Sequence, residues 1–469
     1  MKYSLYNHFV EMENVVLCFN AYNYSRLIIG KNAYQDYLSC KDNVEKLNTK
    51  NPNLHRTLEA NGFIVTDEND EQKKYLSSVQ ERKFSKDVYH IIVNPTMDCN
   101  LKCWYCYESH IEKSHMTSEM VAAIILHIKE KITKEPFKKL ILSFFGGEPL
   151  LQKNIVFSLI ESIYELSKTH GFYLATSFTT NGTLIDKDFV AKLSPYEPSF
   201  QITLDGWQNI HDKVRKYKVN GNGTYSQILS AIKLIQQDSP KSEILVRINV
   251  SNRTLDSLTN IANELAEIKQ NNNLKIMVSK VWQVNAEKLD EKKILDFVLQ
   301  CQTNKIQCSY LATSKYTYGC YADNYNQVVI NYDGNIYKCT ARTFSSENSY
   351  GLITSEGQLE WNEMKLQDRL NLELPYRCQI CNFLPACPKP CSQKLLEKGE
   401  NLPCILNKKY GKENYIIEDF YNFLIESNNP QIRNLLGLVG FCLQSDKIHF
   451  IVHISCTTEM SQTQNPLTP

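Results

Sequence analysis

The sequence predicts an α/β protein: a partial (β/α)6 barrel at residues 88–300, preceded by a small α+β unit and followed by a cysteine-rich domain. Three observations predict it. Between residues 88 and 284, short apolar runs alternate six times with amphipathic helical patterns, as repeated βα units of a parallel sheet do. Unusual polar and glycine motifs fall at the ends of these runs, where parallel α/β folds build their sites. The 469 residues include sixteen cysteines, most of them clustered. Without a secretory signal, clustered cysteines read as metal or cluster ligands rather than disulfides.

In chain order, residues 15–19 and 27–29 read as a strand pair, 32–46 and 54–60 as helical, and 63–65 as a closing strand. The charged, Gln-containing stretch 67–86 reads as a solvated linker or helix. Barrel strands are expected at 89–94, 140–145, 173–179, 200–204, 245–250 and 274–284. Helices at 118–132, 155–167, 225–237 and 255–268 fill gaps between them. A linking helix at 289–300 leads into a strand-poor, cysteine-rich region from 301 to 404. A helix at 414–425 and an irregular tail follow. The expected domains are therefore 1–87, 88–300, 301–410 and 411–469.

Lys+Arg 52 against Asp+Glu 51 leaves no global field that favours nucleic acid or an anionic membrane. The N-terminus lacks an apolar h-region and no later segment reaches a membrane-spanning length. These features place the protein in a reducing cytoplasm, with neither nucleic acid nor membrane as partner.

Cys99, Cys103 and Cys106 form a C-x3-C-x2-C run directly after the first barrel strand. Three thiolates can hold three irons of a cubane 4Fe–4S cluster and leave the fourth iron open to a small molecule. Zinc would ordinarily take four ligands in paired C-x2-C units, which this run does not offer. Tyr105 stands before the last cysteine. Gly146, Gly147, Glu148 and Pro149 follow the second strand, where glycines allow close backbone approach and a carboxylate with free carbonyls suits a cationic amine. Thr180 and Asn181 follow the third strand, and Thr203, Asp205, His211, Asp212 and Arg215 the fourth. Arg247 and Asn249 lie on the fifth. Read alone, the Asn-Gly and Asp-Gly pairs are turn formers.

The C-x3-C-x-aromatic-C run and the Gly-Gly-Glu-Pro motif resemble the radical S-adenosylmethionine (SAM) superfamily over about residues 88–284. The resemblance implies a SAM-binding 4Fe–4S cluster on Cys99, Cys103 and Cys106, with the strand-end residues named above lining the cofactor pocket. Further on, Cys320, the G-x4-C of Gly334 to Cys339, and Cys378-x2-Cys381-x5-Cys387-x3-Cys391 with Cys404 resemble the SPASM domain of a radical SAM subgroup. That domain carries two auxiliary 4Fe–4S clusters. The resemblance implies one cluster on Cys378, Cys381, Cys387 and Cys404, and another on Cys320, Cys339 and Cys391. The second set is one ligand short. Cys308 is a possible fourth ligand, and an iron open to a substrate thiolate is the alternative. Cys18, Cys40, Cys301, Cys442 and Cys456 read as small apolar residues.

The N-terminal unit resembles the winged-helix-like domain of radical SAM peptide maturases, where a leader peptide adds to a sheet edge. A DNA-binding winged helix is disfavoured, because residues 1–70 hold seven Lys/Arg against nine Asp/Glu. Together these resemblances imply a radical SAM maturase of a ribosomally made precursor peptide, installing a thioether or carbon cross-link with an electron donor such as flavodoxin or ferredoxin. The alternatives are an anaerobic sulfatase-maturating enzyme and a non-enzymatic iron–sulfur electron carrier or redox regulator. In sulfatase maturases an acidic residue, thought to act as base, follows the G-x4-C cysteine; here it is Thr340. The carrier would not need the strand-end motifs.

Overall fold

The computed structural model describes residues 1–281, 289–310, 319–406 and 411–426. The expected strand end at 282–284, the tail from 427, Cys442 and Cys456 lie outside the described residues. Residues 1–69 form one compact unit and the described residues from Asp70 to Glu426 a second.

In the first unit, β1 (Lys2–Tyr3) pairs antiparallel with β5 (Ile64–Val65). The strands β2 (Asn7–Glu11), β3 (Val15–Asn20) and β4 (Arg26–Gly30) form an antiparallel sheet with β3 central. The apolar run of β3 is buried from Val16 onward, whereas β2 and β4 are edges. Helices α1 (Lys31–Ser39), α2 (Val44–Lys50) and α3 (Pro52–Ala60) follow. The single helical stretch expected at 32–46 is two helices, because the Asn43 side chain accepts the N–H groups of Glu45 and Lys46 and starts a new helix there. Val16, Cys18, Leu47, Leu58 and Phe63 make its core.

The second unit opens with α4 (Glu71–Lys83), capped by Asp70. Then come β6 (Val88–Asn94), α5 (Ser118–Lys134), β7 (Lys139–Phe144), α6 (Lys153–His170), β8 (Tyr173–Thr180), α7 (Lys187–Leu193) and β9 (Ser199–Leu204). The pattern continues through α8 (Gln208–Val214), α9 (Tyr225–Asp238), β10 (Glu243–Val250), α10 (Leu258–Ile268) and β11 (Leu274–Lys280). Strands β6 to β11 lie side by side in sequence order and all run parallel. On the helix-covered face, Ile91, Val93, Leu142 and Phe144 pack against Ile124 and Ile128 of α5 and Val156 and Leu159 of α6 within one core. Each such side chain contributes about 1.5–3 kcal/mol on burial.

The region read as strand-poor carries five short strands. After α11 (Glu291–Thr303), β12 (Gln307–Ser309) extends the sheet beyond β11. At the opposite edge β13 (Gln327–Asn331) runs parallel to β6. The strands β14 (Asn335–Tyr337), β15 (Gly351–Ile353) and β16 (Leu359–Trp361) continue from it antiparallel. Three-residue strands are too short to show a period of two, which is why the sequence hid them. Helices α12 (Glu363–Leu370), α13 (Tyr376–Gln379), α14 (Ser392–Lys398) and α15 (Gly411–Glu426) complete the described chain. Among the described residues no helix is long and apolar enough to cross a membrane.

Candidate functional site: a cysteine loop over the barrel mouth

The loop after β6 is held by its own polar groups. Asp98 accepts the N–H groups of Cys99 (2.8 Å) and Lys113 (3.0 Å) and meets Lys218 at 3.4 Å. Leu101 bridges to Tyr217, and the N–H groups of Lys102 and Lys218 bond to the carbonyls of Lys216 and Asn100. Cys99 is buried, Cys103 half-buried and Cys106 exposed, and all three are free thiols. Burial pushes Cys99 up to about 12, and the carboxylate of Glu148 and the neighbouring Cys103 add to this. Burial also raises Cys103 and Cys106. The Arg215 guanidinium opposes the rise at all three, so one cation serves the whole set.

The sulfurs share a backbone device. The N–H of Leu101 points at the Cys99 sulfur (3.4 Å), and the N–H two residues on does the same at Cys339 (3.3 Å), Cys381 (3.5 Å) and Cys387 (3.3 Å). Such donors favour the thiolate over the thiol and tune a bound cluster. Among the described residues no three His, Cys, Asp or Glu side chains converge as on a single metal ion. Three cysteine thiols on one loop are the donor set that suits three corners of a cubane cluster.

The Gly146–Pro149 turn packs directly beneath the cysteine loop. The N–H of Gly147 bonds to the Thr96 carbonyl and that of Glu148 to the Asp98 carbonyl. A Cβ on Gly147 would stand 2.0 Å from the Asp98 oxygen, and Gly146 has φ +110°. The close approach expected toward a ligand is therefore first an approach to the cysteine loop. The Glu148 carboxylate is turned inward. It accepts from Thr180 Oγ1 (2.7 Å), Asn181 N (2.7 Å) and Leu150 N (3.1 Å), tying β7's turn to β8's end. Burial raises its pKa against those three bonds. Pro149 starts the short turn that follows. We expect Gly147→Ala to separate the two loops at a cost of about 2–3 kcal/mol. Iron content of the reconstituted protein, falling by about four, is the readout.

Asn181 reaches from β8 toward the loop, with its Nδ2 2.8 Å from Asn100 Oδ1 and 3.8 Å from the Cys99 sulfur. Tyr105, Asp205, Arg215, Asn249 and Arg247 form one network. The Tyr105 hydroxyl bonds to Asp205 Oδ2 and accepts from Arg215 Nη1 (2.8 Å) and Asn249 Nδ2 (3.1 Å). Arg215 Nη1 also lies 3.3 Å from Asp205 Oδ2, and Arg247 Nε donates to Asn249 Oδ1 at 3.0 Å. Thr203 is buried on β9, two residues before Asp205. The structure thus gathers residues from β10 and from the end of β9 onward around the tyrosine of the cysteine motif, while the end of β8 meets Asn100 and Cys99. Two buried atoms in this network have no partner among the described residues, Asp205 Oδ1 and Arg215 Nε. An unpaired acceptor and an unpaired donor in one network suit a ligand that carries both kinds of group.

His211 and Asp212 do other work. His211 accepts the Asp205 N–H (3.1 Å) and meets Thr224 Oγ1 (3.0 Å), and Asp212 accepts the N–H groups of Thr224 and Tyr225 at the start of α9. Both hold the local fold instead of facing a pocket.

The C-terminal cysteines have these electrostatic neighbours. Burial raises Cys320 to about 11, with Asp323 and Cys339 contributing, and Cys339 in turn feels Cys391. Burial likewise raises Cys378 and Cys387, and each also feels Cys381 and Cys404. Cys308 joins neither group, which corrects the expectation of a fourth ligand there. It lies on β12, at the edge of the sheet opposite β13 and β14. Its thiol is buried against Cys301 and Glu418. Strand pairing with β11, invisible in cysteine spacing, decided its place.

Some residues escaped the sequence reading. His90 of β6 meets Ser143 of β7 at 2.9 Å, and Ser143 meets Ser177 of β8 at 2.6 Å, on the face away from the helices. The period-two alternation of polar residues in otherwise apolar strands was the available signal. Glu108, two residues past Cys106, also went unnoticed; burial pushes its carboxyl up to about 9, which the neighbouring Tyr107 hydroxyl only eases.

Residues 93–270 match the model of the Radical SAM superfamily. A cysteine-type anaerobic sulfatase-maturating enzyme of Clostridium novyi (strain NT) is 27% identical over 168 residues, covering 35% of this chain and 44% of that protein. The radical SAM cyclopropyl synthase TigE of Paramaledivibacter caminithermalis is 23% identical over 233 residues, covering 45% of this chain and 46% of that one. The chain thus spans less than half the length of either of these curated relatives. The solved structure of native anSMEcpe with bound AdoMet is 19% identical, covers 75% of this chain and 100% of that one, and superposes with a TM-score of 0.52, a likeness of fold. The half-open barrel under the cysteine loop is thus the part of the chain that matches the Radical SAM superfamily, over residues 93–270.

Proposed function

We propose that this chain is a radical SAM enzyme that modifies a ribosomally made precursor peptide in the cytoplasm. The observation that carries the reading is the meeting of three free thiols, Arg215 and the Tyr105 network at one barrel mouth. Cys99, Cys103 and Cys106 would hold a 4Fe–4S cluster at three corners. With SAM, and with an electron from a donor such as flavodoxin or ferredoxin, a cluster held there would supply 5′-deoxyadenosyl radical chemistry for abstracting hydrogen from a peptide carbon, with methionine released. The chain's own residues position and exclude water. The bare Asp205 Oδ1 and Arg215 Nε offer SAM an acceptor and a donor, and Asn249 and Arg247 brace the Tyr105 hydroxyl between them. Gly146 and Gly147 seat the cysteine loop, while Glu148 locks Thr180 and Asn181 beside it. The domains are read as 1–87 for leader recognition, 88–300 for the barrel, 301–410 for two auxiliary clusters and 411–469 for a helix and tail.

In this reading Cys378, Cys381, Cys387 and Cys404 hold one auxiliary cluster, and Cys320, Cys339 and Cys391 three corners of the other. Three clusters require about twelve irons per reconstituted chain, and a count near four would sink the auxiliary assignment. Among the described residues β2 and β4 are the outer strands of the first unit's sheet, and an outer strand suits an added leader strand. Deleting residues 1–69 is expected to leave SAM cleavage in place and to weaken leader-peptide binding at least tenfold, one decade being about 1.4 kcal/mol. Unchanged affinity by fluorescence anisotropy refutes the leader role.

A second reading is sulfatase maturation, favoured by the similarity to the Clostridium novyi enzyme and to the anSMEcpe fold. Against it stands Thr340, which offers no titratable base at that position. Mass spectrometry separates the two. Formylglycine in a sulfatase-derived Cys or Ser peptide supports the second, and a cross-link in the peptide encoded beside this chain supports the first.

A further inference from the structure

Glu108 lies on the cysteine loop two residues beyond Cys106; both of its carboxylate oxygens are closed off from solvent and, among the described residues, neither has a hydrogen-bond partner of good geometry, the Tyr107 hydroxyl being the neighbour that eases their burial. Its backbone N–H favours the Cys106 thiolate, so the residue sits within the thiol set. Among the described residues no Lys, Arg or His forms an ion pair with it, and Arg247, a cationic side chain of this corner, is engaged with Asn249 and faces Tyr107. A carboxylate enclosed in protein with so little against it is strongly disfavoured unless something else supplies donors or positive charge.

The other carboxylates of the cradle are committed. Glu148 holds Thr180, Asn181 and Leu150, and one oxygen of Asp205 holds Tyr105 and Arg215. Glu108 has only the Tyr107 hydroxyl against it among the described residues, and its oxygens are open to a stronger donor. SAM matches it, since it carries a sulfonium and an ammonium charge, a ribose diol and an exocyclic amine, several of them hydrogen-bond donors. We propose that Glu108 is a SAM-binding residue whose carboxylate accepts hydrogen bonds from SAM and counters its positive charge. The inference rests on the radical SAM reading above. Peptide N–H groups are the competing donors, and the experiment distinguishes them.

The full-length chain, reconstituted with iron and sulfide under anaerobic conditions, is compared with Glu108→Gln and Glu108→Ala. SAM itself is the probe, its Kd measured by calorimetry without reductant so that no turnover occurs, and iron is counted in each sample. The expected result is a SAM Kd raised about tenfold in the Gln variant and further in the Ala variant, at unchanged iron content, as loss of a charge-assisted hydrogen bond requires. SAM affinity within twofold of the wild type in both variants overturns the assignment and hands Glu108 to the peptide. Should either variant lose iron, the wild-type protein crystallised with SAM decides: a Glu108 oxygen within 3.2 Å (about the limit of a good hydrogen bond) of a SAM donor upholds it, and a greater separation overturns it. An iron-loaded wild type that binds no SAM at all overturns the parent reading as well, which the variant comparison alone cannot do.

Discussion

Replacing Cys99, Cys103 and Cys106 together by alanine is expected to abolish 5′-deoxyadenosine formation from SAM, a loss of at least about a thousandfold set by the assay floor. The three thiols belong to one loop, lie within electrostatic reach of one another and share the Arg215 guanidinium. Cys103 couples electrostatically to both neighbours, so the set acts as a unit and not as three independent ligands. Iron content should fall by about four per chain, leaving the C-terminal sets loaded. Chromatography of 5′-deoxyadenosine together with an iron assay checks both halves. Retained SAM cleavage in the triple variant would falsify the assignment of the radical chemistry to this loop.

Arg215→Met should lower folding stability by about 3–5 kcal/mol, because it strands a buried charge instead of removing an interaction between exposed groups. The Asp205 side chain is 2% exposed and that of Arg215 10%, and the pair is closed by Tyr105. Removing the guanidinium leaves Asp205 Oδ2 with the Tyr105 hydroxyl among the described residues and withdraws a cation that favours all three loop thiolates. The double variant Asp205→Asn, Arg215→Met should recover part of the loss, since no unpaired charge remains. Urea denaturation of the two variants provides the measurement. A double variant less stable than the single one by the full additive amount would show that the two side chains do not act as a pair.

Much of the barrel was legible because its strands are long enough, six to eight residues, and alternate with helices carrying apolar residues at i, i+3 and i+4. The motif loop was legible because its chemistry is local: Cys99, Cys103, Tyr105 and Cys106 sit within eight residues. What escaped were short or non-local features. The five strands β12 to β16 have only three to five residues each, and α1 and α2 merged in the reading because an asparagine cap is visible only once its side chain turns onto the backbone.

Residue types and spacing by themselves determined that this protein has a parallel α/β barrel, where its thiols cluster, and which strand ends carry polar groups, since these follow from periodicity and local chemistry. Tertiary structure alone decided which of those groups meet. It set Tyr105 between Asp205 and Asn249, turned Glu148 inward, kept Cys308 on the far edge with Cys301, and closed the Glu108 oxygens off from solvent. The reason is geometric: parallel pairing brings residues some thirty to one hundred and forty positions apart to one end of the sheet, and no count along the chain encodes that register.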